Sequence, residues 1–312
     1  MTINILFAAA AARWDDYEQP LRTALSDAGL QDVTLATELP PEIVDYIVYA
    51  PNSDLQDFTP YTRTKAVLNL WAGVEDIVTN PTLTQPLARM VDDGLTRGMV
   101  EWVTGHTLRH HLGCDLHVLH QDGIWRADDV PPLACDRPVT ILGLGALGSA
   151  CGQALRALGF PVTGWSRSQK SIDGITCLSG QAGLGAALST AQIVILLLPR
   201  TAQTENTLNA DTLARLPRGA VILNPGRGTL IDDAALLAAL ETGHVAHATL
   251  DTFRTEPLPR DHPYWAHPRV TVTPHIASAT RPGSASRVIA ENIRRGETGA
   301  PFLHLVDRDL GY

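Results

Sequence analysis

The sequence predicts an α/β fold in two parts, a doubly wound parallel sheet covered by helices and a smaller α/β domain ahead of it. Three observations predict this. Short apolar runs of strand length alternate with helical stretches along almost the whole chain, which is the pattern of parallel α/β sheets. One such run, Val139-Thr140-Ile141-Leu142, empties into Gly143-x-Gly145-x-x-Gly148 and an Ala-rich helix ending near Gly159. Finally, 312 residues with 45% hydrophobic content suffice for about two cores.

In chain order, Ile3 to Ala8 reads as the first strand and Tyr17 to Ala28 as a helix closed by Gly29. Val33 to Ala36 is a second strand, and Ile43 to Tyr49 an apolar run stopped by Pro51-Asn52-Ser53. Ala66 to Leu70 is a further strand, ending in Trp71-Ala72-Gly73-Val74, and Gly98 to Leu112 reads as a long helix. After the glycine-rich unit come strands at Val162 to Trp165, Ile193 to Leu198, Ala220 to Leu223, Ala246 to Leu250 and Val270 to Val272. Helical segments separate most of them. One, Ala234 to Glu241, is opened by Asp232 and Asp233 and closed by Gly243. A last helix, about Gly283 to Arg295, and the tail to Tyr312 are expected to return to the first domain. The expected division is a discontinuous domain, 1–98 with 279–312, and a second domain, 99–278.

Each glycine of the motif has a physical task. Gly143 permits a tight strand-to-helix turn, Gly145 lets backbone approach a pyrophosphate, and Gly148 lets the helix pack close to the strand. The helix N-terminus, Ala146 and Leu147 included, offers N–H groups and positive dipole to an anion. Glycines also mark ordinary turns, but this triplet lies between a predicted strand and a predicted helix, with a second strand next.

Bulk charge excludes other classes. Lys and Arg number 24 against 33 Asp and Glu, a formal charge of −9 with no basic run. Such a chain has no long-range field to gather nucleic acid or an anionic membrane. An anionic ligand needs a local positive cluster instead. Cys114, Cys135, Cys151 and Cys177 are scattered without a C-x-x-C, which points to reduced thiols in a cytoplasmic protein rather than zinc or a disulfide framework. The small apolar stretch Ile3 to Ala12 has no Lys or Arg before it and is cut short by Arg13, Asp15 and Asp16. A first strand is expected there rather than a signal peptide. No apolar run approaches the ~18 residues that cross a bilayer.

Ligands of open α/β sheets bind beyond the carboxyl ends of the strands. Three reactive side chains fall there. Arg227 follows its strand through Asn224-Pro225-Gly226, Glu256 through Asp251-Thr252-Phe253, and His275 through Thr273-Pro274. A guanidinium grips a carboxylate with a planar fork, an imidazole exchanges a proton, and a carboxylate orients that imidazole and raises its pKa. Singly, each has a plainer reading as a solvated strand-end charge, a turn residue before Pro257 or a loop histidine. Their equivalent topological positions downstream of the glycine motif favour function.

Two other motifs are set aside. Gly164-Trp165-Ser166-Arg167-Ser168 lacks the closing glycine of a nucleophile elbow. His106 and His110 stand at i, i+4 on a predicted helix, but Thr107 replaces the Glu of a metalloprotease and no third ligand is evident. They read as helix surface or interface, and no metal site is expected.

Gly143-x-Gly145-x-x-Gly148, Asn224-Pro225-Gly226-Arg227-Gly228, Leu250-Asp251-x-Phe253-x-x-Glu256-Pro257 and Thr273-Pro274-His275-Ile276-Ala277 together resemble the D-isomer-specific 2-hydroxyacid dehydrogenase family. The resemblance covers nearly the whole chain. Gly164-Trp165-Ser166-Arg167-Ser168, Thr280-Arg281-Pro282 and the ending Val306-Asp307-Arg308-x-x-Gly311-Tyr312 are similar to its glyoxylate/hydroxypyruvate reductase A branch. It implies a Rossmann cofactor domain, a flavodoxin-like substrate domain, and reduction of a small 2-oxo acid with a nicotinamide cofactor. By the family pattern, Arg227 binds the substrate carboxylate and carbonyl, His275 is the general acid and Glu256 its partner. Gly73 and Val74 match the loop whose amides meet the carboxylate. Asp251 matches the position facing the nicotinamide carboxamide, and Leu198 and Pro199 join the cofactor contacts. Pro225 and Gly226 depart from the pattern, which usually has Ala or Ser before the arginine. The resemblance also implies a homodimer through the helix Gly98 to Leu112.

An NAD site normally has Asp or Glu about 20 residues beyond the first glycine, on the ribose 2′-OH. Here that strand end reads Trp165-Ser166-Arg167-Ser168, with Lys170 close behind and no carboxylate. Arg167 and Lys170, with Ser166 and Ser168 as added donors, suit a 2′-phosphate, so NADPH is expected over NADH. The plainer reading is a solvated basic loop. Two alternatives stand beside reduction of glyoxylate or hydroxypyruvate: a dinucleotide-binding sensor without catalysis, and the same chemistry on a bulkier 2-oxo acid, its pocket lined by Tyr49, Trp71 and Trp265.

Overall fold

Apolar runs too short for helices pair into two parallel sheets. The computed structural model describes residues 2–311, so Tyr312 of the ending quoted above lies outside the described residues. The chain divides into two units, Met1–Leu95 with Ala279–Tyr312, and Thr96–Ser278.

In the first unit, β1 (Ile3–Ala8), α1 (Trp14–Asp27), β2 (Val33–Ala36), β3 (Tyr46–Tyr49), β4 (Ala66–Asn69) and β5 (Leu87–Ala88) follow in sequence. The sheet order is β2-β1-β3-β4-β5, all parallel, which is the flavodoxin-like order. The helix expected from Tyr17 begins at Trp14, placing Asp15 and Asp16 in its first turn, where the helix dipole favours negative charge. Pro20 sits inside it and withdraws one amide donor. β5 has only two residues, too few to leave a periodic signal.

α2 (Asp93–His111) starts before the expected Gly98. The Asp92 carboxylate accepts from the amides of Gly94 and Leu95 at 3.0 and 3.4 Å and serves as its cap. Gly113, at φ 65°, separates α2 from the short α3 (Cys114–Leu119), since a left-handed residue ends one helix and reorients the next.

The second unit continues with β6 (Val139–Leu142), α4 (Ala146–Ala157), β7 (Val162–Ser166), β8 (Thr176–Ser179), α5 (Gly180–Ser189) and β9 (Ile193–Leu196). Then come α6 (Ala210–Leu213), β10 (Ala220–Asn224), α7 (Asp233–Glu241), β11 (Val245–Leu250) and β12 (Val270–Val272). The sheet runs β12-β11-β10-β9-β6-β7-β8, entirely parallel. This is a Rossmann sheet extended by one strand. β6, β9 and β10 are buried throughout, because helices cover both faces, and so they read as unbroken apolar runs. β8, polar and at the sheet edge, carries no such signal. The order reverses between β7 and β9, on either side of β6, and ligands of such sheets bind beyond that switch point.

α8 (Pro282–Thr298) belongs to the first unit. Its Ala285, Ile289, Ala290 and Ile293 share a core with Tyr17, Leu21, Ala24 and Leu25 of α1. Among the described residues, no helix is long and apolar enough to cross a membrane.

Candidate active site

β6 delivers the chain to Gly143 at φ 110°, a backbone region closed to most side chains, and a Cβ there would lie 2.4 Å from the Leu197 carbonyl oxygen. At Gly148 a Cβ would lie 1.8 Å from the carbonyl oxygen of Gly143, so α4 packs against the turn only because that side chain is absent. Gly145 differs. It is the N-cap residue of α4 with no side-chain cap, and a Cβ there meets nothing within 4 Å. The first intrahelical bond runs from the Ser149 amide to the Gly145 carbonyl, which leaves the amides of Ala146, Leu147 and Gly148 without intrahelical acceptors. Uncapped amides at the switch point, next to the open space at Gly145, fit a dinucleotide pyrophosphate.

At the end of β7, Ser166 is buried and its Oγ donates to the Ser168 carbonyl at 2.7 Å. Arg167, Ser168 and Lys170 are exposed beyond it. The first carboxylate after the strand, Asp173, pairs with Arg156 at 3.5 Å. Positive charge thus stands where NAD sites carry a carboxylate. Leu198 is buried just past β9, and the carbonyl of Pro199 accepts from Thr204 Oγ1 at 2.7 Å.

Three strand ends carry the reactive side chains. After β10 the buried Asn224 fixes the turn: its Oδ1 accepts from the Gly226 amide at 3.2 Å and its Nδ2 donates to the Arg227 carbonyl at 3.0 Å. The departure at Gly226 has a steric reason, since a Cβ there would lie 2.7 Å from the Leu196 carbonyl oxygen. Arg227 leaves this turn half-buried, its Nη1 donating to the Gly226 carbonyl at 2.8 Å. After β11 the loop brings Glu256 to His275, with Oε2 2.7 Å from Nδ1, while Oε1 accepts from the Phe253 amide at 2.9 Å.

His275 adopts φ 52°, rare for a residue with a side chain. Asp251 holds it there. Its carbonyl accepts from the His275 amide at 2.8 Å, and its fully buried carboxylate accepts from Thr273 Oγ1 at 2.6 Å and from the amides of Ile276 and Ala277 at 2.9 Å each. Asn224 and Thr273, not singled out in the sequence, complete this scaffold. A polar residue at a strand end before Pro is the signal that marks both.

The charges answer to this geometry. Hydrogen bonding to Glu256 raises the His275 pKa, and the charges of Glu256 and Asp251 add to it against burial and Arg227. Burial pushes Glu256 upward, but the His275 bond, the Phe253 amide and the charges of His275 and Arg227 outweigh it and leave its pKa lowered. The pair favours imidazolium beside carboxylate, and Arg227 acts on both. A guanidinium beside such a pair can grip a carboxylate while the imidazolium passes a proton.

Gly73 and Val74 belong to the other unit, on the loop after β4, where Asn69 Nδ2 donates to the carbonyls of Trp71 and Gly73 at 2.9 and 3.0 Å. Tyr49 does not line a pocket. It is 1% exposed, packed edge-on to Phe58 within its own core. Trp265 is half exposed and its Nε1 donates to the Pro259 carbonyl at 2.9 Å, closing its own loop. His106 and His110 are no solvent face either: His106 stacks on Trp102, and His110 Nε2 lies 2.8 Å from Thr249 Oγ1 of β11.

Residues 107–277 match the sequence model of the D-isomer specific 2-hydroxyacid dehydrogenase family, NAD binding domain. Glyoxylate/hydroxypyruvate reductase A of Serratia proteamaculans (strain 568) is 42% identical over 258 residues, 80% of this chain and 82% of the relative. A D-isomer specific 2-hydroxyacid dehydrogenase from Xanthobacter autotrophicus Py2, solved with NADPH and MES, aligns over the whole of both chains at 38% identity and a TM-score of 0.92. An NADPH-dependent glyoxylate/hydroxypyruvate reductase from Sinorhizobium meliloti, solved with NADP and sulfate, does so at 33% identity and a TM-score of 0.85.

Proposed function

This chain belongs to the D-isomer-specific 2-hydroxyacid dehydrogenase family, and we propose that it reduces a small 2-oxo acid, glyoxylate or hydroxypyruvate, with NADPH. The observation that carries the reading is the 2.7 Å contact between His275 and Glu256 at the carboxyl ends of the cofactor sheet, with Arg227 acting on both. The names of the Serratia and Sinorhizobium relatives support the substrate class. The basic loop Arg167 to Lys170 and the NADPH- and NADP-bound neighbours support the cofactor.

In this reading Gly143, Gly145, Ala146, Leu147 and Gly148 hold the pyrophosphate, and Arg167 and Lys170, with Ser166 and Ser168, meet the 2′-phosphate. Leu198 and Pro199 join the cofactor contacts, while Asp251, fully buried, holds the His275 loop. Bound NADPH supplies a hydride to the carbonyl carbon of the oxo acid. Arg227 grips the substrate carboxylate and draws charge toward the carbonyl oxygen. Glu256 accepts from Nδ1–H, which turns Nε2–H of the imidazolium toward the substrate. His275 then delivers that proton to the oxygen as it becomes alkoxide, leaving the 2-hydroxy acid and a neutral imidazole.

We extend the reading to a cytoplasmic homodimer. Support for the dimer comes from the segment after α2, where Val118, Leu119, Trp125, Val130 and Leu133 are all largely exposed, Trp125 at 92%. Apolar side chains gathered on one segment favour a covering partner, here a second copy. Sedimentation velocity at micromolar protein is expected to give a dimer, and a monomer contradicts this part. The chemistry is tested by NADPH absorbance with glyoxylate, hydroxypyruvate, pyruvate and phenylpyruvate in parallel. The first two are expected to give the highest kcat/KM. No oxidation with any of the four contradicts the proposal.

A further inference from the structure

Away from Arg227, Glu256 and His275, three ligand-type side chains from three elements converge in the second unit. His110 closes α2, Asp115 lies in the first turn of α3, and His247 stands on β11. Their donor atoms lie within 4.8 Å of one another, and all three residues are half-buried. The two imidazole centres are 4.8 Å apart. Nε2 of His110 meets the Thr249 hydroxyl and Nε2 of His247 the Thr271 hydroxyl, each at 2.8 Å. Arg109 Nε donates to Asp115 Oδ1 at 2.7 Å.

We propose that His110, Asp115 and His247 bind a divalent transition-metal ion of the zinc class, with water completing the coordination. Two imidazoles and a carboxylate are a donor set that zinc accepts, whereas magnesium and calcium call for oxygen ligands throughout. A tetrahedral ion about 2.1 Å from each ligand holds ligand atoms about 3.4 Å apart. From a spacing within 4.8 Å, that arrangement needs side-chain adjustment and no refolding. The threonine hydroxyls fix both rings through one nitrogen, the outer-sphere role that orients histidine ligands. Arg109 occupies Oδ1 of Asp115 and leaves Oδ2 to the ion. Its guanidinium also opposes a cation, which limits affinity.

The site lies at a structural corner. An ion there ties the α2–α3 turn around Gly113 to β11, at the root of the exposed apolar segment that runs to Leu133. Metal binding is therefore expected to raise thermal stability.

The test is a Co²⁺ titration of the full chain read by visible d–d absorption, followed by displacement with Zn²⁺. Wild type is expected to show a saturable band at one ion per chain and a Tm raised by Zn²⁺. Asp115→Asn, a half-exposed position, and His247→Gln are expected to weaken Co²⁺ binding at least about tenfold, with the Zn²⁺ shift in Tm reduced or lost. If His247→Gln fails to fold, Asp115→Asn alone decides. No saturable band in wild type, or variants that bind like wild type, overturns the site. The absorption readout is independent of reductase activity, so the two readings fail separately.

Discussion

Nδ1 of His275 stands 2.7 Å from Oε2 of Glu256, whose other oxygen is fixed by the Phe253 amide. This contact raises the imidazole pKa above its ordinary 6.5 and leaves the carboxyl below its ordinary 4.5. A raised histidine contributes stability below pH 6.5 that is lost as pH rises through the raised pKa. A lowered glutamate contributes stability above pH 4.5 that is lost as pH falls through the lowered pKa. The pair therefore supports the fold fully between those two values. For reduction, the alkaline limb of kcat/KM is expected above pH 6.5. In Glu256→Gln that limb moves to lower pH. An unmoved limb in the variant separates Glu256 from the titration.

Arg227→Lys keeps the charge and loses the planar fork. The expected outcome is a KM for the 2-oxo acid raised about tenfold or more, the value of a lost charge-assisted bond. NADPH binding, followed by fluorescence, stays near wild type. An unchanged KM removes Arg227 from the carboxylate grip.

Gly145 and Gly148 separate binding from folding. Open space surrounds a Cβ at Gly145, whereas one at Gly148 would lie 1.8 Å from the Gly143 carbonyl oxygen. Gly145→Val is expected to fold with an unchanged melting temperature but to bind NADPH poorly. Gly148→Ala is expected to lose stability outright. Thermal melts alongside cofactor titration check both, and a Gly145→Val protein with normal NADPH affinity contradicts the pyrophosphate assignment.

Removing the basic loop tests cofactor choice. Arg167→Ala with Lys170→Ala is expected to raise KM for NADPH about tenfold or more while leaving KM for NADH nearly unchanged. Equal effects on both cofactors remove the loop from 2′-phosphate recognition.

Much of this was legible in the sequence, for identifiable reasons. Strands buried on both faces must be unbroken apolar runs, so β6, β9 and β10 announced themselves. Gly143 and Gly148 were legible because their constraint is local, a positive φ in one and a backbone contact in the other. β5 and β8 were not: one has two residues and the other is a polar edge strand. At Asp251, the family resemblance located the residue but not its grip on the amides of Ile276 and Ala277, which joins loops far apart in the chain. His110 looked like a helix-face histidine because its partner His247 arrives from β11. Long-range pairs of this kind leave no periodic trace.

In the proposed reaction His275 donates the proton that completes reduction. Its most direct test is steady-state oxidation of NADPH with glyoxylate or hydroxypyruvate by wild type and His275→Ala, with cofactor binding measured on both. Robust turnover is expected in wild type, with kcat lowered about 10²–10⁴-fold in the variant and NADPH affinity largely kept. A variant that turns over within about twofold of wild type contradicts that role.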